Sequence, residues 1–128
     1  MRVLLDTHAL IWAVDDPARL GSKARLALED DSNAVLISAA TVWEIAIKTG
    51  LGKLTLSMPY VGWMNRAIAD LEATILPITI EYADAQRTLP KYHRDPFDRL
   101  LIAQAQVEKI PLASNEETFD SYAISRLW

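Results

Sequence analysis

Val3-Leu4-Leu5-Asp6-Thr7-His8-Ala9-Leu10-Ile11-Trp12 is the stretch on which the fold turns. Three consecutive apolar residues form a strand buried on both faces, the pattern of a parallel sheet rather than of a solvated one. After Asp6 and Thr7 the apolar residues take up helical spacing, so the Asp6 carboxylate falls where a strand ends and a helix begins. Open α/β sheets bind their ligands at that end of the strand. Asp6 and Thr7 are also good helix N-caps, and the residues alone leave both roles open.

The same alternation recurs along the chain. Val35-Leu36-Ile37, Ile75 to Ile80, Ile110-Pro111-Leu112 and Ile124 to Trp128 read as further strands. Helices are expected to start near Thr7, Ser22, Ser38, Pro59, Glu81, Pro96 and Glu116, most behind a capping residue. Strands alternating with helices predict an α/β fold with a central parallel sheet. A chain of 128 residues and 14.3 kDa is the size of one domain, expected to span 1–128. No internal repeat interrupts it, and Thr49-Gly50-Leu51-Gly52-Lys53 reads as a helix stop followed by a loop.

Composition narrows the function. Hydrophobic residues make up 51% and charged residues 23%, which excludes a disordered or collagen-like chain. With no cysteine, thiolate chemistry is excluded, and any metal must be held by oxygen or imidazole, which points to a hard cation. A net charge of -4 argues against a simple basic nucleic-acid binder, so phosphate contacts must be local or metal-borne. No glycine-rich phosphate cradle is present, and no apolar run approaches the roughly 18 residues of a membrane span. The expected location is the cytoplasm.

Four acids stand out. Asp6 ends the first strand. Glu44 lies on a helix opened by Ser38 whose only other polar residues near it are Thr41 and Lys48; the stripe reads as a solvent-facing Glu44–Lys48 pair, slightly favoured, or as the lining of a polar cavity. Asp98 follows Asp95 and Pro96, a strong helix-start signal that explains both acids as caps without excluding a metal role for Asp98. Glu116 follows Ser114-Asn115 at another strand end, where capping by Ser114 is the ordinary explanation, and taken alone it is the weakest of the four. Together, carboxylates brought to one sheet edge repel each other, and a bound cation is the simpler relief. Magnesium, which favours oxygen ligands and keeps several waters, suits such a cluster.

Arg87, Lys91, Arg94 and Arg99 surround His93 in a locally basic stretch. It reads either as a solvated face or as a set of contacts to a phosphate backbone. His93 itself reads as a proton shuttle or, more simply, as a solvated loop histidine.

Asp6-Thr7, Ser38 to Lys48 with Glu44, His93-Arg94-Asp95-Pro96-Phe97-Asp98-Arg99-Leu100-Leu101-Ile102-Ala103-Gln104-Ala105 and Leu112-Ala113-Ser114-Asn115-Glu116 together resemble the PIN-domain family, and within it the VapC-type toxins of bacterial toxin-antitoxin pairs. The resemblance covers essentially the whole chain in order. It implies a three-layer α/β/α fold with a parallel sheet of about five strands. It also implies an endoribonuclease dependent on Mg2+ or Mn2+, a homodimer and a cognate antitoxin. By position, Asp6 and Asp98 resemble the principal metal ligands, Glu44 the acid that completes or orients the shell, and Glu116 the fourth catalytic acid, with Thr7, Ser114 and Asn115 as polar support. The family usually carries Asp at the fourth position; the longer Glu116 departs from that pattern and leaves contact with metal, directly or through water, open.

Two other readings compete. A metal-dependent phosphatase is one, although Asp6-Thr7-His8 lacks the second acid two residues on that haloacid-dehalogenase-like phosphatases carry. The other is a non-catalytic interaction module in which every acid is a cap or a surface charge. The apolar segment Tyr60 to Leu71, with Trp63 and Met64, reads as a dimer surface or as core.

Overall fold

The chain, described over residues 1–128 by a computed structural model, begins with β1 (Arg2–Leu5), α1 (Thr7–Asp15), α2 (Ser22–Glu29) and β2 (Ala34–Ser38). It continues through α3 (Ala39–Gly50), α4 (Tyr60–Asp70), β3 (Thr74–Leu76), α5 (Ile80–Arg87), α6 (Pro96–Glu108), β4 (Leu112–Ala113) and β5 (Arg126–Leu127). Single 3-10 turns at Pro17–Arg19 and Glu117–Ser121 complete it. The five strands form one sheet in the order β3-β2-β1-β4-β5, every pairing parallel.

β1 is central because both of its faces are apolar. Val3 and Leu5 join a core with Leu10 of α1, Ala24 and Ala27 of α2, and Trp63 and Ala67 of α4. Leu4 points the other way, into a second core with Tyr82 of α5, Leu101, Ile102 and Ala105 of α6, and Phe119. Helices therefore cover both faces of the sheet, giving the three layers that the alternation implies.

Strand ends differ from the sequence expectation for local reasons. β3 spans Thr74–Leu76 rather than Ile75 to Ile80, because Pro77 has no N–H to continue the ladder. α5 starts at Ile80 rather than Glu81, with the Thr79 hydroxyl accepting from the Tyr82 N–H at 3.2 Å. β4 is Leu112–Ala113, after Pro111, rather than Ile110 to Leu112. Glu116 opens only a 3-10 turn. α3 stops at Gly50, and Gly52 takes the left-handed backbone (φ +71°) of the loop expected there.

The Tyr60 to Leu71 segment divides by face. Trp63 is fully buried, its indole N–H donating to Asp15 at 3.0 Å, and Met64 is buried beside it, so both are core rather than dimer surface. Val61 on the same helix is 69% exposed. Trp63→Ala is therefore expected to destabilise the protein by about 3–5 kcal/mol in urea unfolding, whereas Val61→Ala changes stability by less than about 0.5 kcal/mol. Equal effects of the two substitutions would show that the helix does not dock through the Trp63 face.

Candidate metal centre

The chain leaves β1 toward β2 and β3 on one side and returns to β4 and β5 on the other, so β1 and β4 flank a topological switch point. Crevices of open α/β sheets form there, outside the strands' C-terminal ends. Asp6 and Ser114 are the residues that follow these two strands, and the Asp6 N–H donates to the Ala113 carbonyl at 3.1 Å. Asp6 is buried and caps α1, its Oδ1 accepting from the Ala9 N–H at 2.7 Å. Capping consumes one carboxylate oxygen, so the two roles open in the sequence coexist.

At the start of α6 the labour is divided. Asp95 Oδ1 accepts from the Phe97 and Asp98 N–H groups at 2.8 and 3.1 Å, so the cap is Asp95 alone. Asp98, in the first turn, is left with its carboxylate free to face the crevice. The helix-start signal accounts for Asp95 and Pro96 but not for the burial of Asp98.

Glu44 departs from the surface-pair reading. The ion pair with Lys48 exists, at 2.5 Å, but Glu44 is buried, and its other oxygen accepts from the Thr7 hydroxyl at 2.5 Å. Both carboxylate oxygens are thus engaged, tying α3 to the start of α1. Thr41, one turn earlier on the same stripe, is also buried. The stripe lines a polar interior, because α3 packs against α1, α4 and α6 rather than lying on the surface.

Glu116 reaches the same place from beyond β4, where Ser114 Oγ accepts from the Glu116 N–H at 3.0 Å. His93 is the residue that sequence reasoning undervalued. Only 13% of its side chain is exposed, and Nε2 lies 2.7 Å from Glu116 Oε1 and 3.1 Å from Asp98 Oδ2. Its position two residues before the Asp95 cap was the available signal, since that spacing folds the ring back over the first turn of α6. Asn115 is exposed.

The basic stretch separates into braces and free cations. Arg99 is turned inward, donating to the carbonyls of Gln86, Leu89, Pro90 and His93 at 3.0 to 3.3 Å, so it braces the segment after α5 and is not disposed to contact phosphate. Arg87 pairs with Asp84 at 2.8 Å on the surface. Lys91 and Arg94 remain exposed, and Arg94 borders an open groove of about 260 Å³ lined also by Tyr92, His93, Asp95, Glu116 and Thr118.

Electrostatics record the crowding. Burial, and then the charges of Asp95, Glu116, Glu44 and Asp6, push the Asp98 carboxyl up to about 8. Burial also raises Asp6, with the Ser114 hydroxyl and the Ala9 N–H working the other way. Hard oxygen donors that raise one another in this manner fit a divalent cation, which removes the repulsion by replacing the proton.

The sign follows directly. In the metal-free protein folded Asp98 keeps its proton between about pH 4 and about 8 while the unfolded chain releases it, so stability falls as pH rises through that window. The acids held down by hydrogen bonds, such as Asp15 and Glu108, act below that range. Asp98→Asn is expected to flatten the decline between about pH 5 and 8 in thermal melts. Calorimetry is expected to show about one proton released per Mn2+ bound at pH 6.5, and close to none above about pH 9. Metal binding with no proton release at the lower pH would contradict the raised Asp98.

Comparison with known proteins agrees with this geometry. Residues 3–125 match the PIN domain family model. The chain is 31% identical over 104 residues to Ribonuclease VapC22 of Mycobacterium tuberculosis, covering 80% of this chain and 78% of the relative. Solved structures share the fold. VapBC2 from Rickettsia felis, bound to a DNA fragment from its promoter, aligns with a TM-score of 0.72 at 14% identity, over 98% of this chain and 97% of that one. VapBC-1 from nontypeable Haemophilus influenzae aligns with a TM-score of 0.64 at 16% identity, over 98% and 96%. With a sheet whose switch point carries the acids, and a family model that spans nearly its whole length, this chain belongs to the PIN domain family.

Proposed function

We propose that this protein is a divalent-metal-dependent endoribonuclease that acts as the toxin of a toxin-antitoxin pair. The observation that carries the reading is the convergence of Asp6, Glu44, Asp98 and Glu116 on one crevice, where burial and then the neighbouring carboxylates raise Asp98 to about 8. Its likeness to a named ribonuclease supports the substrate class.

Asp6 and Asp98 are the residues that would hold Mg2+ or Mn2+: Asp6 caps α1 through one oxygen and keeps the other, and Asp98 caps nothing because Asp95 takes that duty. Glu44, held by Thr7 and Lys48, orients the shell rather than supplying a free ligand. Glu116 reaches in from the far side, directly or through a water, and Ser114 supports both it and Asp6. When bound, the cation would supply Lewis-acid polarisation of the scissile phosphate and would acidify a water. The chain's own carboxylates, Asp6, Asp98 and Glu116, would orient the attacking water and take up its proton. Arg94 and Lys91 offer the RNA backbone two exposed cations beside the groove, within a chain whose overall charge would repel it.

Partners follow from the same reading. The solved neighbours include toxin-antitoxin complexes, which supports a protein antitoxin for this chain. We assign a second copy to the side of the edge strand β3, where Ile75 of β3, Ile78 after it, Trp43 of α3, Val61 of α4 and Ile80 of α5 are exposed. An uncovered apolar edge of this kind favours association. No helix is long and apolar enough to cross a membrane, and the proposed place of action is the cytoplasm, where RNA and antitoxin are made.

Asp6→Asn and Asp98→Asn are each expected to slow RNA cleavage by roughly a hundredfold or more, and Glu44→Gln by about tenfold or more, in a Mg2+-containing assay on antitoxin-free protein. Cleavage at the wild-type rate by both Asp variants would exclude the proposal. Light scattering is expected to give twice the chain mass for wild type and a monomer for Ile80→Glu combined with Val61→Glu. A wild-type monomer would remove the second copy from that surface.

A further inference from the structure

His93 is held by more contacts than a loop histidine needs. Its N–H donates to the Tyr122 hydroxyl at 2.8 Å, its carbonyl accepts from Arg99 at 3.3 Å, and its ring lies tilted against Phe119 with centroids 5.5 Å apart. Nδ1 accepts from the Asp95 N–H at 3.2 Å. A ring nitrogen that faces a donor is the unprotonated one, so the neutral imidazole carries its proton on Nε2. That N–H points between Glu116 Oε1 and Asp98 Oδ2, at 2.7 and 3.1 Å.

His93, Asp98 and Glu116 present ligand atoms within 4.8 Å of one another, a spacing that would suit a cation held by all three. The polarity around the ring argues otherwise. A histidine that ligates metal through one nitrogen donates its other N–H to a carboxylate, carbonyl or water, which sets the bare nitrogen toward the ion. Here the outer nitrogen meets an N–H donor, the reverse arrangement. The Asp95 that caps α6 therefore also sets the tautomer of the neighbouring ring.

We propose that His93 is a positioning residue, not a metal ligand: its Nε2–H holds Glu116 against Asp98. The proposal rests on the reading of this crevice as a metal centre. Glu116 needs such a partner because it is 40% exposed at the side chain and has three rotatable bonds, so without one its carboxylate would spend much of its time in solvent. The ring in turn is fixed by Arg99, whose guanidinium ties the His93 carbonyl to those of Pro90, Leu89 and Gln86. Three residues that look like surface charge and loop thus act as one bracket for the fourth acid.

The test reads the ring directly. His8 is the only other histidine, so in a His8→Gln background long-range 15N–1H spectra report His93 alone. Near pH 8 the Nε2–H tautomer is expected both without metal and with saturating Mg2+. A switch to Nδ1–H with a displaced Nε2 resonance on adding Mg2+ would make His93 a ligand and overturn the proposal. In parallel, calorimetric Mn2+ titration is expected to show affinity about tenfold weaker in His93→Ala. His93→Gln, whose amide N–H reaches the position of Nε2–H, is expected to bind within about twofold of wild type, a rescue that a merely structural role would not produce. Melting curves for both variants establish that they fold. Wild-type Mn2+ affinity in His93→Ala would overturn the positioning role while leaving the metal centre intact; no Mn2+ binding by wild type would overturn the metal centre and the proposal with it.

Discussion

Like charges gathered in a poorly solvated crevice are the constraint around which this molecule is arranged. Asp6, Glu44, Asp98 and Glu116 come from four separate segments and reach one another only because the parallel sheet changes direction between β1 and β4. Left bare, Asp98 is raised far above an ordinary carboxylate, first by burial and then by the charges of Asp95, Glu116, Glu44 and Asp6. Every polar contact near them limits that repulsion or assigns an oxygen to some other duty. Lys48 and Thr7 saturate Glu44, the Ala9 N–H takes one oxygen of Asp6, and Asp95 relieves Asp98 of capping.

The scaffold answers the need for rigidity with two cores. Strands of two to five residues offer few ladder hydrogen bonds, so position is fixed by packing on both faces of β1 instead. The acids sit at the ends of those elements, where a shift of the helix would move the carboxylate with it. The one segment lacking regular structure near the site, between α5 and α6, is secured by the inward-turned Arg99 and by the Tyr122 hydroxyl, which donates to the Pro90 carbonyl at 2.7 Å. Charge here does the work that apolar packing does elsewhere in the molecule.

Much of this was legible before any coordinates. Periodicity locates the strands to within a few residues, because short apolar runs such as Val3-Leu4-Leu5 alternate with stretches of helical spacing, the pattern of a parallel sheet covered on both faces. The order of the acids pointed to one edge. What the linear chain concealed was the fate of side chains that have both a local and a distant partner. Glu44 and Lys48 make the helical pair that spacing predicts, yet its Glu44 end is buried, since only tertiary packing decides which face of a nearly apolar helix is covered. Arg99 reads as surface charge until four carbonyls are found around it, and His93 as loop until Asp98 and Glu116 are. Trp63 reads as dimer surface or core, and its complete burial shows it to be core.

The proposed chemistry requires a cation held between Asp6 and Asp98. Anomalous diffraction from crystals of the antitoxin-free protein grown with Mn2+, measured on both sides of the manganese edge, addresses this most directly. One strong peak is expected in the β1–β4 crevice, coordinated by oxygen atoms of Asp6 and Asp98 and of water, with the His93 ring outside its ligand shell. A crevice without a peak at saturating Mn2+, or a peak whose ligands exclude both of those acids, would contradict that chemistry.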